Sequence, residues 1–352
     1  MAVRRGGRAI HPGTLDDPFD LLDDMRVFLD RRGGNAILLG EVNRSHEVQQ
    51  QFFGGVGDRF DLLFDFVLNQ ALYLALARRD VGPVVEALRS RPELPRGKAF
   101  GTFVRNHDEL SLDQLTDAER DEVLAAFGPE ADQQIFGRGL RRRLPPMLGG
   151  DLDRLAMVYS LLFSLPGTPV VYYGEEIGMG ENLDLEARLA VRTTMQWDAR
   201  PGGGFSTTGR DATGTDGVGS APPAGEFAPA HVNVADQLRD PASLLAAFRR
   251  FGDHRRTLPE FGRGALRLRE SGHADVLLHE LSWEGHRTVV LHSLTDDARA
   301  VRVDDLPKGD AVLDLLGDRE LTVDDDGALT VLLGRYGVAW LRVEPTDGRY
   351  GI

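Results

Sequence analysis

The first part of the chain alternates amphipathic helices with short apolar runs. After residue 17, apolar residues recur at helical spacing, and this stripe consists of Leu21, Leu22, Met25, Phe28 and Leu29. Asp17 is suited to cap this helix and Pro18 to its first position, and Gly33 is suited to its end. The run from Ala36 to Leu39 then predicts a buried strand that leads into Glu41. Helix, buried strand and acid in this order are typical of an α/β barrel.

The pattern continues to about residue 258 and then changes. Apolar runs at 60–68, 99–104 and 168–173 predict strands, and helices are predicted from residues 71 and 116 and over 151–165 and 241–255. Thr116 and Glu119 form a capping box. Residues 200–235 are rich in Gly, Pro and Thr and predict a long surface loop or lid. Beyond residue 260, apolar runs at 274–281, 287–293, 298–303, 311–316, 329–333 and 338–343 alternate with turn residues, which predicts an antiparallel β-sandwich.

Composition narrows the class of protein. The net charge is −14 over 352 residues, so the chain gains nothing from counterion release and nucleic acid is not an expected partner. The absence of cysteine excludes disulfides, thiolate metal sites and thiol catalysis, and it fits a reducing cytoplasm. The N-terminus lacks the apolar stretch of a secretory signal, and there is no apolar run of about 18 residues. We therefore expect a cytoplasmic protein that binds no membrane.

Two carboxylates suggest the chemistry. Glu41 and Asp108 each follow an apolar run, as acids do when a barrel strand delivers them to the mouth of an active site. One acid/base and one negatively charged partner are what cleavage of a glycosidic bond usually needs. The alternative for each is structural, since an acid after a buried strand also caps a following helix. The basic run Arg138 to Arg143 is interpreted as a solvated face or a loop anchor, and His46 as a surface residue.

Four ordered motifs carry a family resemblance: Leu38-Leu39-Gly40-Glu41-Val42-Asn43, Phe103-Val104-Arg105-Asn106-His107-Asp108-Glu109, the segment 167–180, and Arg192-Thr193-Thr194-Met195-Gln196-Trp197-Asp198. With these motifs the chain resembles the C-terminal half of an α-amylase-superfamily retaining glycosidase, most of all the trehalose-synthase and oligo-α-glucosidase branch. The resemblance implies a partial TIM (β/α)8 barrel of strands five to eight, followed by a C-terminal antiparallel β-sandwich domain. The implied segments are an unstructured N-terminus (1–14), the half barrel (15–258), the β-sandwich (259–345) and a tail (346–352).

The resemblance also implies roles for individual residues. Glu41 corresponds to the general acid/base and Asp108 to the carboxylate that stabilises the transition state. Asn106, His107 and Arg192 correspond to substrate-binding positions, and neither a metal nor a cofactor is expected. A general acid needs a raised pKa, which partial burial beside other acids would supply. Glu175 and Glu176 are expected to brace a loop and Trp197 to be a packing anchor.

The chain departs from the family pattern before Glu41. The family's nucleophile is an Asp in a Gly-Phe-Arg-x-Asp-Ala pattern, and nothing before Asp17 resembles it. Without that residue no glycosyl-enzyme intermediate forms, and four strands do not close a barrel of eight. We therefore expect a truncated piece that is inactive alone and is either marginally stable or self-associating through its half-barrel edges.

Three functional hypotheses remain open on the sequence. The first is action on the α-glucosidic bonds of short glucosides of the maltose and trehalose type, by retaining hydrolysis or by intramolecular transfer. The second is a non-catalytic carbohydrate-binding protein. The third is one half of a two-chain enzyme whose partner supplies strands one to four. The choice between hydrolase and isomerase depends on how well a closed site excludes water, which the sequence does not reveal.

Overall fold

The computed structural model describes residues 19–55, 58–205, 221–308 and 311–343, together with the backbone of two short strands near the N-terminus. These are β1 (Arg4–Arg5) and β2 (Arg8–Ala9), which pair with each other. They lie in the segment 1–14 that was predicted to be unstructured, so that prediction was wrong for these four residues. The predicted caps Asp17 and Pro18, residues 206–220 of the predicted lid and the tail 346–352 lie outside the described residues.

All α-helices of the described residues precede the C-terminal strands, and all but the last lie in the half-barrel region. They are α1 (Asp20–Arg32), α2 (His46–Phe53), α3 (Phe66–Arg78), α4 (Gly82–Arg89), α5 (Asp117–Phe127), α6 (Leu144–Met147), α7 (Leu152–Ser164), α8 (Val234–Gln237), α9 (Leu244–Thr257) and α10 (Glu260–Arg263). Its strands are β3 (Leu39–Gly40), β4 (Leu62–Phe64), β5 (Ala99–Phe103), β6 (Leu110–Ser111), β7 (Gln134–Ile135), β8 (Gly139–Leu140) and β9 (Thr168–Val170). Strands β6, β8 and β7 form a small antiparallel sheet after β5.

A parallel sheet of four strands is the frame of this region. Its order is β3-β4-β5-β9, so neighbours in the sheet follow one another along the chain, as in an α/β barrel. The carboxyl ends of all four strands therefore lie at the same end of the sheet. Pro169 in β9 is tolerated because β9 is an edge strand of this sheet. The partial barrel that the motifs implied is therefore confirmed.

The predicted burial of the strand before Glu41 was wrong, and much of the apolar stripe of the first helix is exposed as well. On α1, the apolar side chains of Leu21, Met25 and Phe28 are exposed, and Arg26 is the buried residue. The strand expected to be buried is β3, yet Leu39 is exposed and Ile37 just before it is 67% exposed. The physical reason is the position of β3, since no described strand lies beyond it in the sheet.

The remaining strands form the second region. They are β10 (Ala265–Arg269), β11 (Val276–Trp283), β12 (His286–Ser293), β13 (Arg299–Val303), β14 (Ala311–Asp314), β15 (Arg319–Thr322), β16 (Leu329–Leu333) and β17 (Val338–Val343). Six of them form an antiparallel sheet in the order β10-β11-β12-β17-β14-β15, and β13 pairs with β16. Alternating side chains of both sheets, such as Val289, Leu341, Val301 and Val331, fill one shared core. The predicted antiparallel C-terminal domain is thus confirmed.

A larger core joins the two regions. Helices α3, α7 and α9 contribute to it together with strands β11, β12 and β17, and Tyr159 of α7 packs on Phe248 of α9 with ring centroids 4.5 Å apart. Trp340 of β17 is fully buried in the same cluster and donates a hydrogen bond from Nε1 to Ser160 Oγ on α7 at 2.9 Å. The second region is therefore docked on the helical side of the half barrel.

Candidate active site

The carboxyl ends of β3 and β5 bring the predicted acids together. Glu41 follows β3 directly, and Asn106, His107 and Asp108 follow β5. The Nδ2 atom of Asn106 donates to Glu41 Oε1 at 3.2 Å, and the Asp108 amide donates to Asn106 Oδ1 at 3.0 Å. Side-chain ligand atoms of Glu41, His107 and Asp108 all lie within 4.8 Å of one another. The motifs on two strands thus converge on one point at the mouth of the half barrel.

Buried residues fix the turn that carries Asp108. Asn69 of α3 donates to the carbonyl oxygens of Phe103 and Val104 at 2.9 Å and 2.7 Å, which holds the end of β5. The buried guanidinium of Arg105 donates to the carbonyl oxygens of Asp108 at 2.7 Å and Arg142 at 2.9 Å. These contacts position the Asp108 backbone independently of any bound molecule.

Two arginines clamp the Asp108 carboxylate. Arg192 donates to Asp108 Oδ1 and, through Nε, to the His107 carbonyl oxygen at 2.7 Å. Arg188 Nη1 lies 3.0 Å from Asp108 Oδ2, and its Nε donates to Glu109 Oε2 at 2.6 Å. Both carboxylate oxygens of Asp108 therefore face a guanidinium group, which fixes the orientation of this acid.

The acids open into a cavity of about 510 Å³. Its lining consists of Glu41, Val42, Asn43, Arg44, Phe52, Phe66, Asn106, Asp108, Glu109, Ser111, Asp113, Arg138 and Arg188. A volume of this order suits a small organic ligand. Burial by itself would raise the pKa of Asp113, but a hydrogen bond from Ser111 and the charge of Arg138 outweigh it and lower that pKa. The lining of the cavity thus includes a charged pair, Asp113 and Arg138.

A further carboxyl group is buried under the loop that follows β9. Glu175, in the 3₁₀ helix Glu175–Ile177 after β9, accepts hydrogen bonds from the Tyr159 hydroxyl and the Tyr172 amide, each at 3.2 Å. Burial raises the pKa of Glu175 to about 7. Arg143, also buried, donates to the carbonyl oxygens of Tyr173 at 2.9 Å and Val191 at 2.8 Å. Glu175 therefore braces a loop, as predicted from the sequence.

Several other expectations are decided by these contacts. The basic run is a loop anchor, since Arg142 pairs with Glu181 and Arg143 holds two carbonyl groups. Trp197 is 51% exposed and is not the packing anchor that was predicted. His46 is buried between Ser90 and Asp65, so its interpretation as a surface residue was wrong. Glu41 is exposed, so it lacks the partial burial that was expected of the acid/base.

Sequence reasoning missed three residues of the site. Glu109 and Arg188 line the cavity, and Arg105 supports the turn beneath it. Arg188 lies four residues before Arg192, in the 3₁₀ helix Ala187–Val191 that leads into it. This proximity in sequence was a usable signal, because two arginines of one short segment can reach the same carboxylate, as Arg188 and Arg192 reach Asp108. Glu109 carried no comparable signal, since its partner Arg188 is 79 positions away. Arg105 carried none either, since its acceptors are backbone carbonyl oxygens, which leave no side-chain pattern in the sequence.

Within the described part of the chain, no helix is both long and apolar enough to cross a membrane.

Comparisons with known proteins identify relatives of this chain. The family described as "Alpha amylase, catalytic domain" matches residues 141–263. Trehalose synthase of Thermus thermophilus is 35% identical over 340 residues, which is 95% of this chain and 34% of that protein. Trehalose synthase of Pimelobacter sp. is 32% identical over 356 residues, which is 96% of this chain and 61% of that protein. The chain thus spans between about a third and three fifths of the length of these relatives.

Solved structures show the same fold. The crystal structure of alpha-amylase from H. orenii superimposes with a TM-score of 0.67 at 20% identity, covering 95% of this chain and 59% of that one. A trehalulose synthase in complex with Tris superimposes with a TM-score of 0.62 at 17% identity, covering 93% of this chain and 60% of that one. At such identities the likeness concerns the fold alone.

Proposed function

We propose that this chain, which belongs to the α-amylase superfamily, acts on the α-glucosidic bond of a short glucoside of the maltose or trehalose type. Glu41 is the general acid/base, Asp108 is the charge that stabilises an oxocarbenium-like transition state, and Asn106, His107 and Arg192 bind the sugar. Retaining hydrolysis and intramolecular transfer share these steps and differ in whether water or a sugar hydroxyl accepts the glucosyl group.

The observation that supports this proposal most directly is the proximity of Glu41 and Asp108, whose carboxyl oxygens lie within 4.8 Å of each other at the carboxyl ends of β3 and β5. An acid and a fixed negative charge at this separation can act on the same glycosidic bond, one by protonating the leaving group and the other by stabilising positive charge on the sugar ring. The relatives named trehalose synthase support extending the proposal to intramolecular transfer, because the formation of trehalose from another glucoside is a glucosyl transfer.

A second candidate follows from the other acids in the cavity. Among the cavity residues that the structure describes, the remaining carboxylates belong to Glu109 and Asp113. Arg188 pairs with Glu109, and Arg138 pairs with Asp113. Neither acid lies in a Gly-Phe-Arg-x-Asp-Ala pattern like that of the family's nucleophile, so these cavity residues offer a charge stabiliser and an acid but no counterpart of the residue that performs the covalent step. We therefore also propose carbohydrate binding without turnover, or turnover only after a second chain completes the site.

Incubation of the purified chain with maltose tests the first candidate, with glucose and trehalose measured by chromatography. Turnover that falls by about 10²–10⁴-fold in Glu41→Gln identifies Glu41 as the acid/base. The matched control is Glu320→Gln, which makes the same substitution at an exposed position of β15. Turnover that is equal in the wild type and in Glu41→Gln would refute the assigned role.

Binding of maltose tests the second candidate. Titration calorimetry measures this binding for the wild type, Asp108→Asn and Glu320→Gln, and the measurement does not depend on catalysis. Binding without turnover that is weakened by Asp108→Asn supports a carbohydrate-binding function at this site. Neither turnover nor binding in the lone chain would reject both activities for the isolated polypeptide.

A further inference from the structure

A phenylalanine stands at the tip of a hairpin beside the candidate site. Strands β7 and β8 are joined by a tight turn, in which the Arg138 amide donates to the Ile135 carbonyl oxygen at 3.3 Å. The two central residues, Phe136 and Gly137, have φ angles of 57° and 64°. Turns with two positive φ angles favour Asn, Asp and Gly, because a bulky side chain is strained in this conformation. The ring of Phe136 is 58% exposed, so its burial offsets little of this strain.

The hairpin that carries Phe136 is anchored next to Asp108. Strand β8 pairs with β6, and β6 begins two residues after Asp108. Leu140 of β8 is fully buried in the core, and Arg138 pairs with Asp113 in the lining of the first cavity. The fold therefore sets the position of Phe136 relative to Asp108.

The ring of Phe136 packs against an arginine of the candidate site. The guanidinium carbon of Arg188 lies 5.5 Å from the ring centroid. The Nη1 atom of the same guanidinium group lies 3.0 Å from Asp108 Oδ2. A cation at such a distance from an aromatic ring is attracted to its face. A single guanidinium group thus separates the phenylalanine ring from one of the two acids of the site.

A second cavity opens beside this contact. Its volume is about 380 Å³, which is sufficient for a small organic ligand. Its lining consists of Phe136, Glu186, Ala187, Arg188, Leu189 and Arg192. Arg188 also lines the larger cavity, which contains Glu41 and Asp108, so the two cavities adjoin at this residue. A molecule longer than one sugar ring can therefore extend from the first cavity into the second.

We propose that the second cavity holds the neighbouring sugar of the glucoside, stacked on Phe136, while the first sugar lies at Glu41 and Asp108. This inference rests on the proposed function. One face of a glucose ring presents C–H groups, which are attracted to the negative face of an aromatic ring. The hydroxyl groups at the rim of the sugar meet the exposed carboxylate of Glu186 and the guanidinium group of Arg192. An apolar surface with a few polar groups around it is typical of small-molecule sites.

This role gives a reason for the strained turn. Residues in unfavourable backbone conformations are concentrated at ligand-binding sites, where the side chain has a function that a better turn residue lacks. An Asn in place of Phe136 would suit the turn but would offer no aromatic face. Stability and binding are therefore expected to respond in opposite ways to this substitution, whereas a purely structural ring would affect stability alone.

The affinities for two sugars test the proposal. NMR titration of the purified chain measures the dissociation constants of maltose and of glucose, which is too small to span both cavities. Phe136→Ala should lower the preference for maltose over glucose about tenfold, which corresponds to about 1.4 kcal/mol. The matched control is Phe28→Ala. Phe28 of α1 is 57% exposed and has the Arg32 guanidinium carbon 5.3 Å from its ring centroid, but it lines neither cavity.

Two further variants separate binding from folding. Phe136→Asn should unfold at a temperature equal to or above that of the wild type, because Asn tolerates positive φ, and it should lose the preference for maltose. Phe136→Tyr keeps the aromatic face and should bind maltose within about twofold of the wild type. Circular dichroism during heating compares the stabilities of the variants.

The outcomes distinguish this inference from the proposed function. A preference for maltose that is unchanged in Phe136→Ala and Phe136→Asn, together with weaker maltose binding in Asp108→Asn, would reject the stacking role alone. Maltose binding that is weakened neither by Asp108→Asn nor by the substitutions of Phe136 would reject both. Loss of the preference in Phe136→Asn in proportion to a loss of stability would assign the ring a structural role and would also overturn the inference.

Discussion

At the scale of single residues, Glu175 is a buried carboxyl group whose ionisation the fold opposes. Burial raises its pKa to about 7, against the opposing effects of the Tyr172 amide, the charges of Arg143 and Arg105 and the Tyr159 hydroxyl. Between pH 4.5 and 7 the native state therefore retains a proton that the unfolded chain has released. The contribution of Glu175 to stability is complete below pH 4.5 and is lost as the pH rises through 7.

Glu175→Gln should remove this pH dependence, because the amide is neutral at every pH. Relative to the wild type, the variant should gain about 2–3 kcal/mol of unfolding free energy between pH 5 and pH 8. Urea unfolding of both proteins at the two pH values measures the difference. Glu320→Gln, an exposed substitution of the same kind, should follow the wild type. Parallel behaviour of Glu175→Gln and the wild type would show that the carboxyl group is ionised throughout.

The sequence was sufficient to locate the acids of the site but not their partners. Glu41 and Asp108 were recognisable because each ends an apolar run within a distinctive motif, and the structure brings them together. Their assigned roles stay predictions. The pairing of Glu109 with Arg188 connects segments 79 positions apart and leaves no local pattern. Buried polar partners of this kind depend on tertiary packing, which a single sequence does not show.

At the scale of elements, helix α5 begins with a complete capping box. Thr116 Oγ1 accepts a hydrogen bond from the Glu119 amide at 3.4 Å, and the Glu119 carboxylate accepts one from the Thr116 amide at 3.1 Å. The box was predicted from the spacing of the two residues. Local hydrogen bonds of this kind are readable from sequence because both partners lie within one turn.

Thr116→Ala should destabilise the protein by about 1 kcal/mol, because it leaves the first amides of α5 without their side-chain acceptor. Thr116→Ser keeps a hydroxyl group at the same position and should lose only a small part of that energy. Chemical unfolding at one pH compares the three proteins. Equal losses in Thr116→Ala and Thr116→Ser would assign the effect to the methyl group and not to the cap.

The elements that were misjudged depend on long-range neighbours. The run before Glu41 was expected to be a buried strand, yet Ile37 and Leu39 are exposed because β3 is an edge strand. Strands β10 and β15 were not predicted. β15 reads Arg319-Glu320-Leu321-Thr322, a polar sequence held in place by pairing with β14. An apolar pattern shows which face is suited to burial, but the presence of a neighbour is a property of the whole fold.

At the scale of the whole molecule, the contact between the two regions contains buried histidines. His279 of β11 and His292 of β12 are fully buried, with parallel rings whose centroids are 6.0 Å apart. Both face α7, where His292 Nε2 lies 3.0 Å from Ser160 Oγ and His279 Nε2 lies 3.3 Å from the Ser164 carbonyl oxygen. Burial lowers the pKa of His279 to about 4, and burial together with the charge of His279 lowers that of His292.

This arrangement makes the docking of the two regions sensitive to acid. Both imidazoles are neutral in the native state, whereas in the unfolded chain they take up protons below about pH 6.5. Stability is therefore complete above pH 6.5 and falls as the pH drops towards 4, by up to about 1.4 kcal/mol per pH unit for each histidine. Glu175 changes stability in the opposite direction over part of this range, so the histidine effect is measured as a difference between variants.

Trp340 is a direct reporter of this contact, because its indole donates to the same Ser160 hydroxyl that meets His292. With Trp197 and Trp283 replaced by Phe, the fluorescence of Trp340 should shift to longer wavelength as the pH falls from 6.5 towards 4. His292→Gln in this background should move the midpoint to lower pH, because one protonation site is removed. His273→Gln provides the control, since this histidine is not fully buried. A midpoint that is unchanged by His292→Gln but shifted by His273→Gln would place the acid sensitivity outside the docking contact.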